Sequence, residues 1–199
     1  MRHGNSEANK AGIISSSPPV ATVKHGLTEL GQRQARDSSS LFLQSEHVAG
    51  GGGALLPPVI VSSDFKRASM TANILRATLL TKFEEVAEVR LEERLRERSF
   101  GDLDGGKDDQ YGLVWEHDAV DANHVLYNVE SVNSVIARTS ALVTDLDEEF
   151  QDRMIFLVAH GDVLQILQTK FWGVEGEKHR SLQHMETAEW REFDLKKVK

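Results

Sequence analysis

The chain has 199 residues, 40% of them apolar and 27% charged, which suits one ordinary globular domain whose core needs no disulfide or metal staple. It contains no cysteine, which excludes a disulfide framework, thiolate metal sites, iron–sulfur clusters and a cysteine nucleophile. The net charge of −8 argues against a general nucleic-acid binder, and no apolar run approaches the roughly 18 residues of a membrane span. The charge is uneven, with a +4 surplus in residues 1–83 and acidic surpluses in 84–110 and 111–199. A positive first portion suits an anion site, and it equally suits solvated faces of mixed charge.

Residues 10–26, rich in Ser, Pro and Lys, read as a loop. Thr28 and Glu29 open a helix whose apolar members are Leu27, Leu30, Ala35, Leu41 and Leu43. Gly50, Gly51, Gly52 and Gly53 break what precedes them and read as a surface loop, since no Lys or Ser/Thr follows to make a phosphate-cradling loop. Residues 57–63 read as a short buried strand, and Ser62, Ser63 or Asp64 as the cap of the helix carrying Phe65, Ala68, Ala72, Ile74, Leu75, Leu79 and Leu80. Residues 86–91 suggest a strand, 92–109 a charged loop, and 131–150 a long helix with Val132, Val135, Ile136, Thr139, Val143 and Leu146 on one face. The apolar run 154–159 reads as a buried strand, 162–172 as a helix and 187–195 as a final strand. Strands alternating with helices imply a three-layer α/β/α sandwich with a mostly parallel sheet, and sites in such sheets lie beyond the carboxyl ends of the strands.

Two tripeptides carry chemistry: Arg2-His3-Gly4 and Ala159-His160-Gly161. The second ends a buried strand and opens a helix, whose N-terminus offers unpaired N–H groups to an anion. Taken with the segments 27–35 (LTELGQRQA), 62–72 (SSDFKRASMTA), 95–105 (LRERSFGDLDG) and 157–161 (LVAHG), the run 2–9 (RHGNSEAN) resembles the histidine phosphatase superfamily, also called phosphoglycerate mutase-like. Five motifs stand in the family's order from Arg2 to Gly161. The resemblance implies that His3 is a nucleophile that becomes transiently phosphorylated. It implies that Arg2, Asn9, Arg67, His160 and Gly161 surround the transferred phosphoryl group, with His160 also catalytic, and that Glu97 protonates the leaving alcohol.

Elementary chemistry agrees with those roles. A neutral imidazole is nucleophilic near pH 7, and a covalent intermediate splits one hard displacement into two easier ones. Guanidinium groups match phosphate oxygens bidentately, and a histidinium at position 160 adds fixed positive charge. A carboxylic acid in an anionic pocket keeps its proton if its pKa is raised. The scheme needs no metal and no cofactor. Outside their motifs, Arg67 reads as a surface helix residue, Asn9 as a loop residue bonding its own backbone, and Glu97 as part of a solvated charge run in which Glu93 is the competing acid. The other histidines, His25, His47, His117, His124, His179 and His184, show no paired metal-ligand spacing. Trp115, Trp172 and Trp190 read as packing residues, with Trp115 also placed to form a substrate wall.

These features imply hydrolysis of a small anionic phosphate ester without metal, nucleic acid or membrane as partner. Sequence leaves the oligomeric state unread and suggests the cytoplasm as compartment. The 63 positions separating Glu97 from His160 leave little chain for an elaborate cap, which favours a phosphatase over the alternative of a phosphoglycerate mutase. A catalytically weak phosphate-binding interaction protein is the second alternative. Family members resemble one another in an apolar strand directly before Arg-His-Gly, where this chain has only Met1. The expectation is therefore one domain over 1–199 that lacks about one central strand at its N-terminal end, leaving ladder groups unpaired at about 1–3 kcal/mol for each buried one.

Overall fold

The protein is described by a computed structural model covering residues 1–45, 48 and 56–193. The helices are α1 (Glu7–Ala11), α2 (Pro18–Ala21), α3 (Glu29–Gln44), α4 (Lys66–Leu79), α5 (Tyr111–Asp118), α6 (Val132–Glu149) and α7 (Gly161–Trp172). The strands are β1 (Val59–Ser62), β2 (Arg90–Leu91) and β3 (Ile155–Val158), all parallel in the order β2-β1-β3. The expected glycine loop at 50–53 lies outside the described residues. No described helix is long and apolar enough to cross a membrane.

The strand pleat divides the core into two faces. Ile60 of β1 and Phe156 and Val158 of β3 pack with Phe42 of α3 and with Ala68, Ala72 and Leu75 of α4. Val59 and Val61, with Ile155 and Leu157, face the other way onto Leu142 and Leu146 of α6 and Leu164 of α7. Because side chains alternate along a strand, this register fixes helices on both sides and makes the expected three layers. Ser131 caps α6 by accepting from the Ser134 amide at 3.1 Å, and the inward face of α6 is Val132, Val135, Thr139, Leu142 and Leu146.

Several local expectations are corrected. Residues 10–26 hold α2 and the end of α1 rather than a plain loop, because Pro18 and Pro19 suit a first helical turn and Ser6 closes a capping box with Asn9. Only Arg90–Leu91 of the 86–91 stretch is strand. Phe65, not Ser62, Ser63 or Asp64, is the N-cap of α4, and the Ser63 hydroxyl instead accepts from the Phe65 amide at 3.2 Å. Leu30 and Leu41 of α3 point outward, while the inward stripe is Gly31, Ala35, Ser39 and Phe42, a run of small residues that brings α3 close to its neighbours. The final strand does not form over 187–193. The Glu189 amide turns back to the Glu186 carbonyl at 3.0 Å, and Ala188 takes φ +64°, a left-handed conformation incompatible with a strand.

The chain's opening residues extend the sheet, Arg2 bridging Ala159 in parallel. The Met1 ammonium donates to the Leu157 carbonyl at 2.7 Å, the Ala159 amide to Met1 at 3.0 Å and the His3 amide to Ala159 at 3.0 Å. The far side of this short segment is closed by residues 188 and 189, through Arg2 N–H to the Glu189 carbonyl at 2.9 Å and Ala188 N–H to the His3 carbonyl at 3.1 Å. The ladder thus ends in His3, at the carboxyl end of the sheet. A groove of about 530 Å³ at the start of β3 is lined by Phe150, Phe171 and Trp190 together with the charged side chains of Asp147, Arg153 and Arg191.

Past His3 the chain crosses α3 at contact distance. A side-chain carbon on Gly4 would strike the Gly31 carbonyl, and one on Gly31 would strike the Asn5 carbonyl, closer than real carbons approach. Two glycines therefore set how deeply His3 is seated. Gly31→Ala is expected to lower stability by about 1–3 kcal/mol in chemical denaturation, as overpacking does elsewhere. Unchanged stability would show that the crossing has slack.

Candidate active site

His3 follows the sheet segment directly, and its ring is 3% exposed. Its Nδ1 lies 2.7 Å from the Gly4 carbonyl, which only accepts, so the proton sits on Nδ1. That leaves the Nε2 lone pair to receive Arg67 Nε–H at 3.1 Å. Burial, then the charges of Arg67 and Arg2, hold the His3 pKa well below that of a free imidazole. The ring is neutral and its tautomer is set by the backbone, as a nitrogen nucleophile requires.

Arg67 stands in the first turn of α4, almost wholly buried, and its Nη2 donates to the Ser15 carbonyl at 2.9 Å. The Ser15 loop is itself anchored from the acidic motif. Asp104 accepts from Ser16 Oγ at 2.8 Å and the Ser17 amide at 3.0 Å, and the Phe100 amide donates to Ser16 Oγ at 3.0 Å. Arg2 donates through Nη1 to the Met185 carbonyl at 2.7 Å and to His184 Nε2 at 2.9 Å. Gly161 makes room for it: a Cβ there would lie 3.2 Å from Arg2 Nε and 3.0 Å from the His184 ring.

His160 is the N-cap residue of α7, fully buried, with its ring edge-on to His3 at 5.2 Å between centroids. Ser63 Oγ, which accepts from the Phe65 amide, also hydrogen-bonds His160 Nε2 at 2.9 Å, and the ring's Nδ1 has no partner. Burial, followed by Arg67 and His3, holds its pKa well below the usual value. Without an anion beside it His160 is held neutral, because a further cation next to two arginines is costly. Among the described residues, Arg2 Nε, Arg67 Nη1 and His160 Nδ1 are buried polar atoms with no hydrogen-bond partner. All three belong to side chains grouped about His3, and unpaired buried donors of this kind are what an anion satisfies.

Glu97 is half-buried and accepts the Arg98 amide at 3.1 Å. Burial, then the nearby Asp162 carboxylate, push its pKa up to about 7, against the pull of Arg67 and Arg2. Glu93 is exposed and paired with Arg96 at 2.9 Å, so it is not the site acid. Asn9 is exposed, and its side-chain oxygen accepts the Ser6 amide at 3.0 Å and the Ser6 hydroxyl at 2.8 Å, closing the cap of α1. Among the described residues no group of three His, Asp or Glu side chains is placed to hold a metal ion.

Sequence reading missed the supports. Ser63 orients His160, His184 holds Arg2, and Tyr111 of α5 stacks on Trp115 at 5.4 Å while burial and Glu97 raise its pKa. Trp115 borders the site but also has a structural bond, Nε1–H to Asp162 at 3.1 Å. Trp190 packs on Phe42 as expected, whereas Trp172 is exposed. The Arg98 guanidinium, fully buried, is clamped by Asp118 at 2.7 and 2.8 Å and donates to the Glu130 carbonyl at 2.6 Å. Only Ser63 gave a sequence signal, as its motif's second serine.

The family model described as histidine phosphatase superfamily, branch 1, matches residues 1–199. The chain belongs to that superfamily. A glucosyl-3-phosphoglycerate phosphatase of Mycobacterium tuberculosis is 29% identical over 210 residues, covering 97% of this chain and 82% of its own length. A solved mycobacterial glucosyl-3-phosphoglycerate phosphatase in complex with VO3 superposes with a TM-score of 0.73 at 27% identity, over 94% of this chain and 87% of that one. A phosphoserine phosphatase from Entamoeba histolytica in complex with 3-phosphoglyceric acid shares the fold, with a TM-score of 0.68 at 19% identity over 94% and 84% of the two chains.

The raised Glu97 pKa has a cost to stability. The folded state holds this proton more tightly than an unfolded chain with a value of 4.5, so ionisation destabilises the fold progressively from pH 4.5 to about 7 and by a constant amount above. Glu97→Gln is expected to gain about 1–3 kcal/mol in denaturation at pH 8 and nothing below pH 4.5. No gain at pH 8 would contradict the placement of Glu97 in a charge-excluding site.

Proposed function

We propose that the protein hydrolyses a small phosphate monoester through a phosphohistidine on His3. The observation that carries this reading is the set of unpartnered buried donors on Arg2, Arg67 and His160 around a neutral imidazole whose tautomer the Gly4 carbonyl fixes. As a phosphoryl group enters, Arg67 Nε–H passes from His3 Nε2 to a phosphoryl oxygen, and the freed Nε2 lone pair faces phosphorus. The N–P bond forms as the ester P–O bond breaks, and the departing oxygen takes the Glu97 proton. The resulting carboxylate then removes a proton from water as that oxygen attacks phosphorus. The N–P bond breaks, inorganic phosphate leaves, and Glu97 is protonated again. Backbone bonds hold the donors in place beforehand, so little reorganisation accompanies the charge that develops on the phosphoryl oxygens.

Between Glu97 and His160 lie α5, short turns and α6, and the cover over the site is an eight-residue helix carrying Tyr111 and Trp115. Such a light cover admits water and supports hydrolysis over retention of a phosphorylated intermediate. The names of the relatives point to alkyl esters bearing a carboxylate as the first substrates to try.

The test is phosphate release in excess EDTA from p-nitrophenyl phosphate, phosphoserine, 3-phosphoglycerate and glucose 6-phosphate. Wild-type turnover is expected, with a loss of about 10³-fold or more in His3→Ala. Equal turnover in His3→Ala, or none in wild type, would overturn the reading. Interconversion of phosphoglycerates without net phosphate release would make the protein a mutase.

A further inference from the structure

Asp162 follows His160 and Gly161 in the first turn of α7 and is 6% exposed. Its carboxylate is held from three elements. Trp115 of α5 donates Nε1–H to Oδ1 at 3.1 Å, Arg98 Nη1 reaches Oδ2 at 3.5 Å, and Arg180 Nη1 lies 3.7 Å from Oδ1. The Arg180 guanidinium is flat against the Trp115 ring, 3.7 Å from its centroid, and also bonds the Gln165 side chain. Arg98 links this anion to the proton donor, since its guanidinium reaches Asp162 while its backbone N–H donates to Glu97. Nothing in the hydrolytic scheme requires an aspartate here, and a buried anion beside a phosphate site is costly unless it has a purpose.

We propose that Asp162 is a positioning residue for the proton of Glu97, an anion built into the start of α7 to offset the field of Arg2 and Arg67. The site needs those arginines for the phosphoryl group, and the same arginines favour an ionised Glu97, which is useless to a departing alkoxide. The groups facing Glu97 are Arg2 from the opening segment, Arg67 from α4, Tyr111 from α5, the Arg98 amide on its own loop and Asp162 from α7. Arg180 pairs with Asp162, 3.7 Å from Oδ1, from its place against the Trp115 ring. Of the facing groups, Asp162 is the one anion that opposes the arginines.

This inference rests on Glu97 being the site acid, and its test does not require turnover. The carboxyl carbon of Glu97 is followed by ¹³C NMR in glutamate-labelled full-length protein, with Glu97→Gln identifying the resonance. Asp162→Asn is expected to lower the titration midpoint by about one pH unit and Arg180→Gln to raise it, while Asp162→Glu restores the wild-type value. Opposite displacements from two variants cannot come from a shared loss of folding, and circular dichroism confirms that each is folded. A midpoint unmoved in Asp162→Asn, or moved the same way by both variants, overturns the proposal.

Kinetics supply the second arm. On the alkyl ester that wild type turns over best, kcat/KM of Asp162→Asn is expected to fall about tenfold at pH 8 and about twofold at pH 6. On p-nitrophenyl phosphate, whose leaving group needs little protonation, it is expected to change less than about twofold. Equal losses on both esters at both pH values would show a merely structural role. Absence of wild-type turnover would instead sink the phosphatase reading, leaving the NMR result standing on its own.

Discussion

Positive and polar nitrogen groups buried together without an acceptor are the constraint on which the rest of this molecule depends. Arg2, Arg67, His3 and His160 meet at the carboxyl end of the sheet, and three of their polar atoms have no partner among the described residues. Unsatisfied buried donors each cost about 1–3 kcal/mol, so the fold must hold them against their tendency to spread. It does so with backbone carbonyls: Gly4 takes His3, Ser15 takes Arg67 and Met185 takes Arg2. Carboxylates are kept off the phosphoryl-facing side and placed behind it. The outcome is a site whose stability deficit is relieved by a tetrahedral anion.

The acidic half of the chain serves the basic half. Asp104 organises the loop that holds Arg67, Asp118 immobilises Arg98, and Asp162 stands behind Glu97. A site made only of cations would bind phosphate well and release an alcohol poorly, because its acid would stay ionised. Packing contributes through close approach, the Gly4–Gly31 crossing seating the nucleophile and Gly161 admitting the Arg2 guanidinium. Gly4 and Gly161 each follow a histidine of the site directly, so chemistry and chain geometry are encoded together there.

Much of this was legible in the sequence, for identifiable reasons. His3, Arg67, Glu97 and His160 were readable because each sits in a contiguous motif, and the strands Val59–Ser62 and Ile155–Val158 because helices on both sides of the sheet leave each a short, mostly apolar run. The three-layer architecture followed from the alternation of elements. Long-range partnerships were not legible. Nothing local to Asp162 says that Trp115 and Arg180 will meet it, and nothing local to Ser63 says that it will face His160 across the β1–β3 pair. The final strand failed because the turn at Glu186–Glu189 outcompetes a β-favouring composition, and the capping box that Asn9 closes with Ser6 was not announced by its motif.

The most direct test of the account is which atom carries phosphorus in the intermediate. Rapid quench of the wild-type protein with an aryl phosphate in EDTA, followed by alkaline peptide mapping and ³¹P NMR, reads both the residue and the ring nitrogen. The Gly4 carbonyl holds the Nδ1 proton, so the account predicts phosphorus on His3 at Nε2 alone. Phosphorus on Nδ1, on another residue, or on no residue during active turnover would contradict it.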